Sequence, residues 1–195
     1  MSKPMPMSFG ITNVNLNGTQ TEQIVHDITK SFDYENNLDL VLELMHKINR
    51  FNGSIPFSVL QHTLLGVEIL RRSYIKVPKS LLKAWLLHDM HEIITNDIPS
   101  PVKAIIRQFG DALDIVEDKL HNDVLDSFGV TNFPKKEVKE IDLHSYFLEA
   151  KYFKKEVEES NVSMEFYGEH IWFLLNSSIE QLKYQFMREL ALAGQ

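Results

Sequence analysis

The chain has 195 residues, of which 44% are hydrophobic and 24% are charged, a balance that predicts one globular domain with a single core. A formal net charge of -7 and a pI near 5.6 argue against polymeric nucleic acid or an anionic membrane surface as partners. Because the chain contains no cysteine, disulfides and thiolate metal sites are excluded, and His, Asp and Glu remain as metal ligands.

The N-terminal part of the sequence shows no export signal. MSKPMPMSFG lacks the basic-then-apolar order of a secretory leader, and no apolar run reaches the length of a membrane span, so we expect a cytoplasmic location. Residues 1–36 are rich in Asn, Thr, Ser and Gly and are predicted to form a lead-in segment. The domain proper is predicted to span residues 37–195.

Helical periodicity begins after the lead-in segment. In DLVLELMHKI the apolar residues recur at intervals of three and four, and this first helix should end near RFNG, where Gly53 breaks it. Ser58 is predicted to cap a second helix, VLQHTLLGVEILRR.

The remaining segments are also helical in pattern. Ser80 is predicted to cap a third helix, LLKAWLLHDMHEII, which Asn96 and the prolines that follow should stop. Three further amphipathic segments follow, the first of them ended by Gly129: DALDIVEDKLHNDVLDSFG, KKEVKEIDLHSYFLEAKYFKKEVEE and IWFLLNSSIEQLKYQFMRELALA. Since no alternating strand of useful length occurs, the predicted fold is an all-α single helical bundle.

A cluster of polar residues interrupts the third predicted helix. His88 and Asp89 are adjacent, and Glu92 lies four residues beyond His88, so all three could face one cavity. A divalent metal needs four to six donors, so other elements must contribute. The best candidates are His62 and Asp142, which stand in apolar helical segments where an uncompensated polar group is costly.

The residues alone leave alternatives open. His62 could be a hydrogen-bonded core histidine, Asp142 a surface acid, and the whole cluster a set of buried ion pairs. His91 is expected to project from another face of the helix, at the surface.

The sequence resembles the HD-domain metal-dependent phosphohydrolases, in which a histidine precedes an adjacent His-Asp pair and a distant Asp. His62, His88, Asp89 and Asp142 occur in that order. The segments RFNGSIPFSVLQHTLL, LLHDMHEIITNDIPSPVK and EIDLHSYFLEAKYF resemble those of the small nucleotidases of bacteria and phages. The resemblance covers roughly residues 38–155, and Asn96 and His91 depart from the usual glycine and small residue.

This resemblance implies an HD-type bundle around one divalent transition metal (Mn, Co, Zn or Fe) held by His62, His88, Asp89 and Asp142. The implied reaction is hydrolysis of a deoxynucleotide phosphate ester by a metal-activated water. The substrate would be either a monophosphate, giving phosphate, or a triphosphate such as dATP, giving triphosphate. The family also leads us to expect a homo-oligomer.

Further site residues follow from the same resemblance. Glu92 and Asp97 would orient or deprotonate water and protonate the leaving oxygen, and in enzymes that use triphosphates they could hold additional Mg²⁺. Arg50 and Lys103 would bind phosphate, and Phe51 would press against the sugar and exclude a 2'-hydroxyl.

Two other functions remain open at this stage. One is a cyclic-nucleotide phosphodiesterase, which would need more histidines for a second metal, whereas residues 97–142 contain only His121. The other is a non-catalytic protein that senses nucleotides, although every expected ligand is present here.

Overall fold

The computed structural model describes residues 33–154, 164 and 166–194, and within these residues the fold is all-α, as predicted from the sequence. The helices are α1 (Leu38–Lys47), α2 (Val59–Ser73), α3 (Lys79–Leu87), α4 (Glu92–Thr95), α5 (Ser100–Ile106), α6 (Ala112–Ser127), α7 (Lys135–Glu149), α8 (Gly168–Asn176) and α9 (Ile179–Gly194). A 3-10 turn, Arg107–Phe109, follows α5, and a π-helical turn, Ala150–Lys154, continues α7.

Helix α2 is the centre of the bundle, since α1, α3, α7, α8 and α9 all pack against it. Every residue from 59 to 67 is buried, which is the pattern of a helix enclosed on all sides. This explains how the helix can carry His62 with no exposure to solvent. Any polar group in this position must find its partners inside the protein.

The start of α2 agrees with the sequence prediction, and the start of α3 does not. The Ser58 hydroxyl accepts a hydrogen bond from the Gln61 N–H, and the Gln61 side chain accepts one from the Ser58 N–H, so the two form a capping box. The prediction that Ser80 caps the third helix was wrong. Pro78 is the N-cap residue, and no side chain caps the helix, because the proline ring has no oxygen that could accept a hydrogen bond.

The third predicted helix was also expected to run unbroken to Ile94, which was wrong. Helix α3 ends at Leu87, and the Met90 and Glu92 N–H groups then bond to carbonyls only three residues back. These tighter turns rotate the chain before α4 begins. His88 and Glu92 therefore do not share a face of one continuous helix, although both are buried.

Helix α1 ends at Lys47, and Ile48 is already extended, so the prediction that Gly53 ends it was wrong, whereas the predicted end of α6 is confirmed. Gly129 ends α6 with φ +66, and the Val130 N–H donates to the Leu125 carbonyl, an arrangement that suits glycine. The C-terminal segment forms two helices, separated at residues 177 and 178. Helix α5 was not predicted, because the prolines at its start were interpreted only as the end of the preceding helix, whereas Pro101 lies in the first turn of α5, where proline is tolerated.

Most of the predicted lead-in segment, residues 1–36, lies outside the described residues, and its boundary stays a prediction. Of residues 33–36, Tyr34 is fully buried in the core. Among the described residues, no helix combines the length and the hydrophobicity that crossing a lipid bilayer requires.

The contact between Gly66 and Trp85 gives a test of this packing. A Cβ atom at Gly66 would lie 1.9 Å from Trp85 Cζ2, and the indole is held by a 2.8 Å hydrogen bond to the Thr63 carbonyl. We expect Gly66→Ala to lower the free energy of unfolding by about 3 kcal/mol, at the upper end of overpacking penalties, as measured by urea denaturation.

Gly168→Ala is the matched control, since a Cβ there meets no atom within 4 Å. Its effect should stay within about 0.5 kcal/mol, as for most surface substitutions. Equal stability of Gly66→Ala and the unmodified protein would contradict the close packing of α2 on α3.

Candidate functional site

The structure brings the four predicted metal ligands close together, although they come from three parts of the chain: His62, His88 and Asp89 form one compact group, and Asp142 lies beside His62. His62 lies on α2, His88 and Asp89 lie in the turn after α3, and Asp142 lies on α7. His62 Nε2 is 3.5 Å from Asp89 Oδ2 and 3.6 Å from Asp142 Oδ1, and His88 Nε2 is 3.1 Å from Asp89 Oδ2.

The two imidazoles present nitrogen atoms that nothing in the protein satisfies. Nε2 of His62 and Nε2 of His88 are both buried without a hydrogen-bond partner, since the approach of Asp89 to His88 lacks hydrogen-bond geometry. One ligand atom each from His62, His88 and Asp89 lies within 4.8 Å of the others. Buried unpaired nitrogens beside carboxylates are the donor set of a divalent transition-metal site.

The backbone of α3 orients the first histidine of the pair. His88 Nδ1 lies 2.6 Å from the Trp85 carbonyl, which can only accept a hydrogen bond, so Nδ1 carries a proton and, in the neutral ring, Nε2 keeps its lone pair. The ring also stacks on Trp85, with centroids 4.0 Å apart. The side chain thus presents Nε2 in the form that binds a metal.

Sequence reasoning missed one residue of the site, Glu149. Its Oε1 lies 2.6 Å from His62 Nδ1, its Oε2 lies 3.4 Å from Arg50 Nε, and it is fully buried. Its spacing of seven residues from Asp142 places both carboxylates on one face of a helix. That spacing was the available signal, in the stretch EIDLHSYFLEA.

Arg50 lies inside the cluster. Its guanidinium is 3.2 Å from Asp97, 3.4 Å from Glu149, 3.8 Å from Asp89 and 3.9 Å from Asp142. Burial alone would lower the pKa of Arg50, but the surrounding carboxylates raise it above its ordinary value. The side chain therefore holds a permanent positive charge among acidic groups.

Asp97 holds the turn that carries Phe51. Its Oδ2 accepts a 2.6 Å hydrogen bond from the Phe51 N–H, and its Oδ1 accepts one from Arg50 at 3.2 Å. Phe51 and Asn52 both have φ values near +55, a left-handed conformation that costs energy in residues with a side chain. The bond to Asp97 helps to hold this turn in place.

Glu92 is a buried acid beside the candidate metal ligands, and its Oε2 has no hydrogen-bond partner. Burial, and then the negative charge of Asp89, raise the pKa of Glu92 well above its ordinary value. By contrast, burial would raise the pKa of Asp89, but the neighbouring His88 and His62 hold it well below the usual range.

A cavity of about 550 Å³ opens onto this cluster. Its lining includes all the predicted site residues except the two histidines, together with two further lysines and an aromatic side chain: Arg50, Phe51, Asp89, Glu92, Asp97, Lys103, Asp142, Lys139, Lys154 and Tyr146. Lys103 is paired with Glu117 at 2.8 Å. A second hollow, against Trp172 and Phe173 on α8, contains none of these residues.

The expectation that His91 lies at the surface was wrong. It is buried, and burial lowers its pKa to about 4. Its Nδ1 and that of His121 both lie 3.1 Å from the His88 carbonyl, since the turn after α3 rotates the ring inward. Both rings therefore brace the turn that carries His88 and Asp89.

A known family model matches part of the chain. Residues 53–136 match the model of the family described as 5'-deoxynucleotidase YfbR-like, which is a family of hydrolases. The match contains His62, His88, Asp89, Glu92, Asp97 and Lys103, and it lies between Phe51 and Asp142. Comparisons with curated proteins and with solved structures returned no match. The segment that supplies three of the four candidate ligands thus matches the YfbR-like 5'-deoxynucleotidase family, and the resemblance seen in the sequence is confirmed.

Proposed function

We propose that the protein hydrolyses phosphate esters of deoxynucleotides and that it does so with a divalent transition metal held by His62, His88, Asp89 and Asp142. The observation that carries this proposal is the pair of buried, unpartnered Nε2 atoms beside two carboxylates. The family match supports the same chemistry, since the matched family is one of deoxynucleotidases.

The charge balance of the site favours a cation. Arg50 is buried among five carboxylates that line or contact the cluster. These are Asp89, Glu92, Asp97, Asp142 and Glu149. Excess negative charge in a buried site is costly unless it is paired. When bound there, a divalent cation would neutralise charge on a phosphate oxygen and lower the pKa of a water molecule.

The protein's own acids can then handle the protons. Glu92 has a raised pKa and a free oxygen at the cavity wall, so it is suited to take a proton from water or to pass one to the leaving oxygen. Asp97 faces the same cavity but already binds Arg50 and the Phe51 N–H. Its part is to orient these groups and, through its remaining lone pairs, a water molecule.

The cavity suits a nucleotide by size and by the groups along its wall. Its volume lies within the range of small-molecule sites. Lys103 lies on the wall as a candidate phosphate contact, and Arg50 lines the same cavity while it is paired with Asp97. Phe51 packs on Tyr146, with ring centroids 5.3 Å apart and planes tilted by 30°, and Lys154 Nζ lies 4.2 Å from the Phe51 centroid. The two rings therefore offer an aromatic wall for the sugar, with a positive charge beside it.

The activity itself is tested with a panel of substrates. The Mn²⁺- or Co²⁺-loaded protein is incubated with deoxynucleoside and ribonucleoside mono- and triphosphates, and with cyclic nucleotides, and the products are separated by chromatography. We expect a deoxynucleoside together with either phosphate or triphosphate. Binding without turnover would favour the nucleotide sensor, and opening of a cyclic nucleotide would favour the phosphodiesterase.

Asp89→Asn tests the metal site with little change of shape. We expect the variant to lose nearly all bound metal and to lower kcat/KM by about 10³-fold or more, because one removed charge-stabilising group costs about that much. Metal content is measured by elemental analysis after gel filtration. Asp114→Asn is the control, since Asp114 pairs with Arg107 at the surface, and equal metal content in the two variants would contradict the site.

Phe51→Ala tests sugar selection. An apolar wall discriminates against an added hydroxyl by about 10²-fold, so we expect the preference for deoxyribose over ribose to fall about tenfold in kcat/KM. Phe173→Ala, at an exposed aromatic residue on α8, should leave the ratio unchanged. A ratio that is unchanged in Phe51→Ala as well would remove Phe51 from sugar recognition.

A further inference from the structure

We propose that Glu149 is the positioning residue for His62: it fixes the imidazole in the form with the proton on Nδ1 and thereby keeps the Nε2 lone pair available to a metal. This inference rests on the proposed function and adds a residue that lies outside the matched segment 53–136. The geometry around His62 supports it from both sides of the ring.

The contact between Glu149 and His62 is short, and both side chains are shielded from solvent. Glu149 Oε1 lies 2.6 Å from His62 Nδ1, and both side chains are fully buried. The permanently charged Arg50 guanidinium beside Glu149 favours the ionised form of the carboxylate. An ionised carboxylate can only accept a hydrogen bond, so the proton between the two atoms belongs to Nδ1.

The opposite side of the ring shows why this proton matters. His62 Nε2 is buried, has no hydrogen-bond partner and lies near Asp89 and Asp142. With the proton on Nδ1, Nε2 carries a lone pair directed toward these carboxylates. With the proton on Nε2, the ring could not bind a cation there, and Nδ1 would meet Glu149 with two lone pairs facing each other.

Glu149 is itself held in place. Its second oxygen lies 3.4 Å from Arg50 Nε, and Arg50 also contacts Asp89 and Asp142. Glu149 and Asp142 both lie on α7, and His62 lies on α2. The packing of α7 on α2 therefore sets the distance from the His62 ring to each of the two carboxylates. A metal-bound histidine whose other nitrogen donates to a carboxylate has a more basic and better oriented ring.

The alternative is that Glu149 only stabilises the fold as a buried ion pair. Glu189 provides the matched comparison for that role. It is also buried, and it pairs with Arg71 at 2.6 Å and with Arg188 at 2.7 Å, but none of these three residues lines the cavity. Loss of either glutamate removes a buried carboxylate, whereas only loss of Glu149 should change metal binding.

The test measures the affinity for Co²⁺ by competition with a coloured chelator, alongside the thermal midpoint. We expect Glu149→Ala to raise the Kd about 10- to 100-fold, the usual effect of losing such a partner. Glu149→Gln should raise it less, since its amide oxygen can still accept from Nδ1. Glu189→Ala should leave the Kd unchanged although it lowers the midpoint. If Glu149→Ala does not fold, the Kd of Glu149→Gln decides instead. A Kd above that of the unmodified protein supports the inference, and an equal Kd overturns it.

A second measurement needs no substitution. In the metal-free unmodified protein, at a pH where the His62 ring is neutral, ¹⁵N NMR of the imidazole nitrogens should show the single proton on Nδ1, and a neutral ring with its proton on Nε2 would overturn the inference. A Kd for Glu149→Ala equal to that of the unmodified protein would also overturn it. Failure of the unmodified protein to bind Co²⁺ would instead reject the proposed metal site, so the two failures are distinguishable.

Discussion

The burial of one guanidinium among acidic side chains is the interaction on which this site depends. Arg50 lies within 4 Å of four carboxylates that come from α7 and from the turns after α3 and α4. Removal of one partner from a buried ion network costs about 3–5 kcal/mol, because the remaining charge is left without compensation. Arg50 therefore joins elements that are distant in the sequence into one wall, and it limits how far the carboxylates can repel one another.

Helix packing gives the histidines their geometry. Gly66 allows the Trp85 ring to lie directly against α2, and that ring is the surface on which His88 stacks. His91 and His121 then hold the His88 carbonyl from the other side. For each of these three histidines, a backbone carbonyl oxygen, which can only accept a hydrogen bond, fixes a proton on Nδ1. The core and the site are thus built from the same contacts.

The break between α3 and α4 explains how residues close in sequence can point in different directions, with His88 and Asp89 in the ligand cluster and Glu92 on the cavity wall. In a continuous helix His88 and Glu92 would lie on one face and Asp89 about 100° away. The turn at residues 88–91 instead lets Asp89 approach both His62 and His88, while Glu92 lines the cavity wall beside it. A short irregular segment inside a rigid bundle can aim several side chains at one point, which a single helix face cannot do.

The sequence by itself indicated the all-α fold and the cap at Ser58, because each depends on local spacing, and its resemblance to the HD-domain phosphohydrolases predicted the four candidate ligands. It did not determine that α3 ends at Leu87, that Arg50 is buried among carboxylates, or that Glu149 contacts His62 across 87 residues. Only the tertiary structure decided these features. Hydrogen bonds between separate helices, and the charge around a buried group, depend on which surfaces meet, and periodicity within one segment does not specify that.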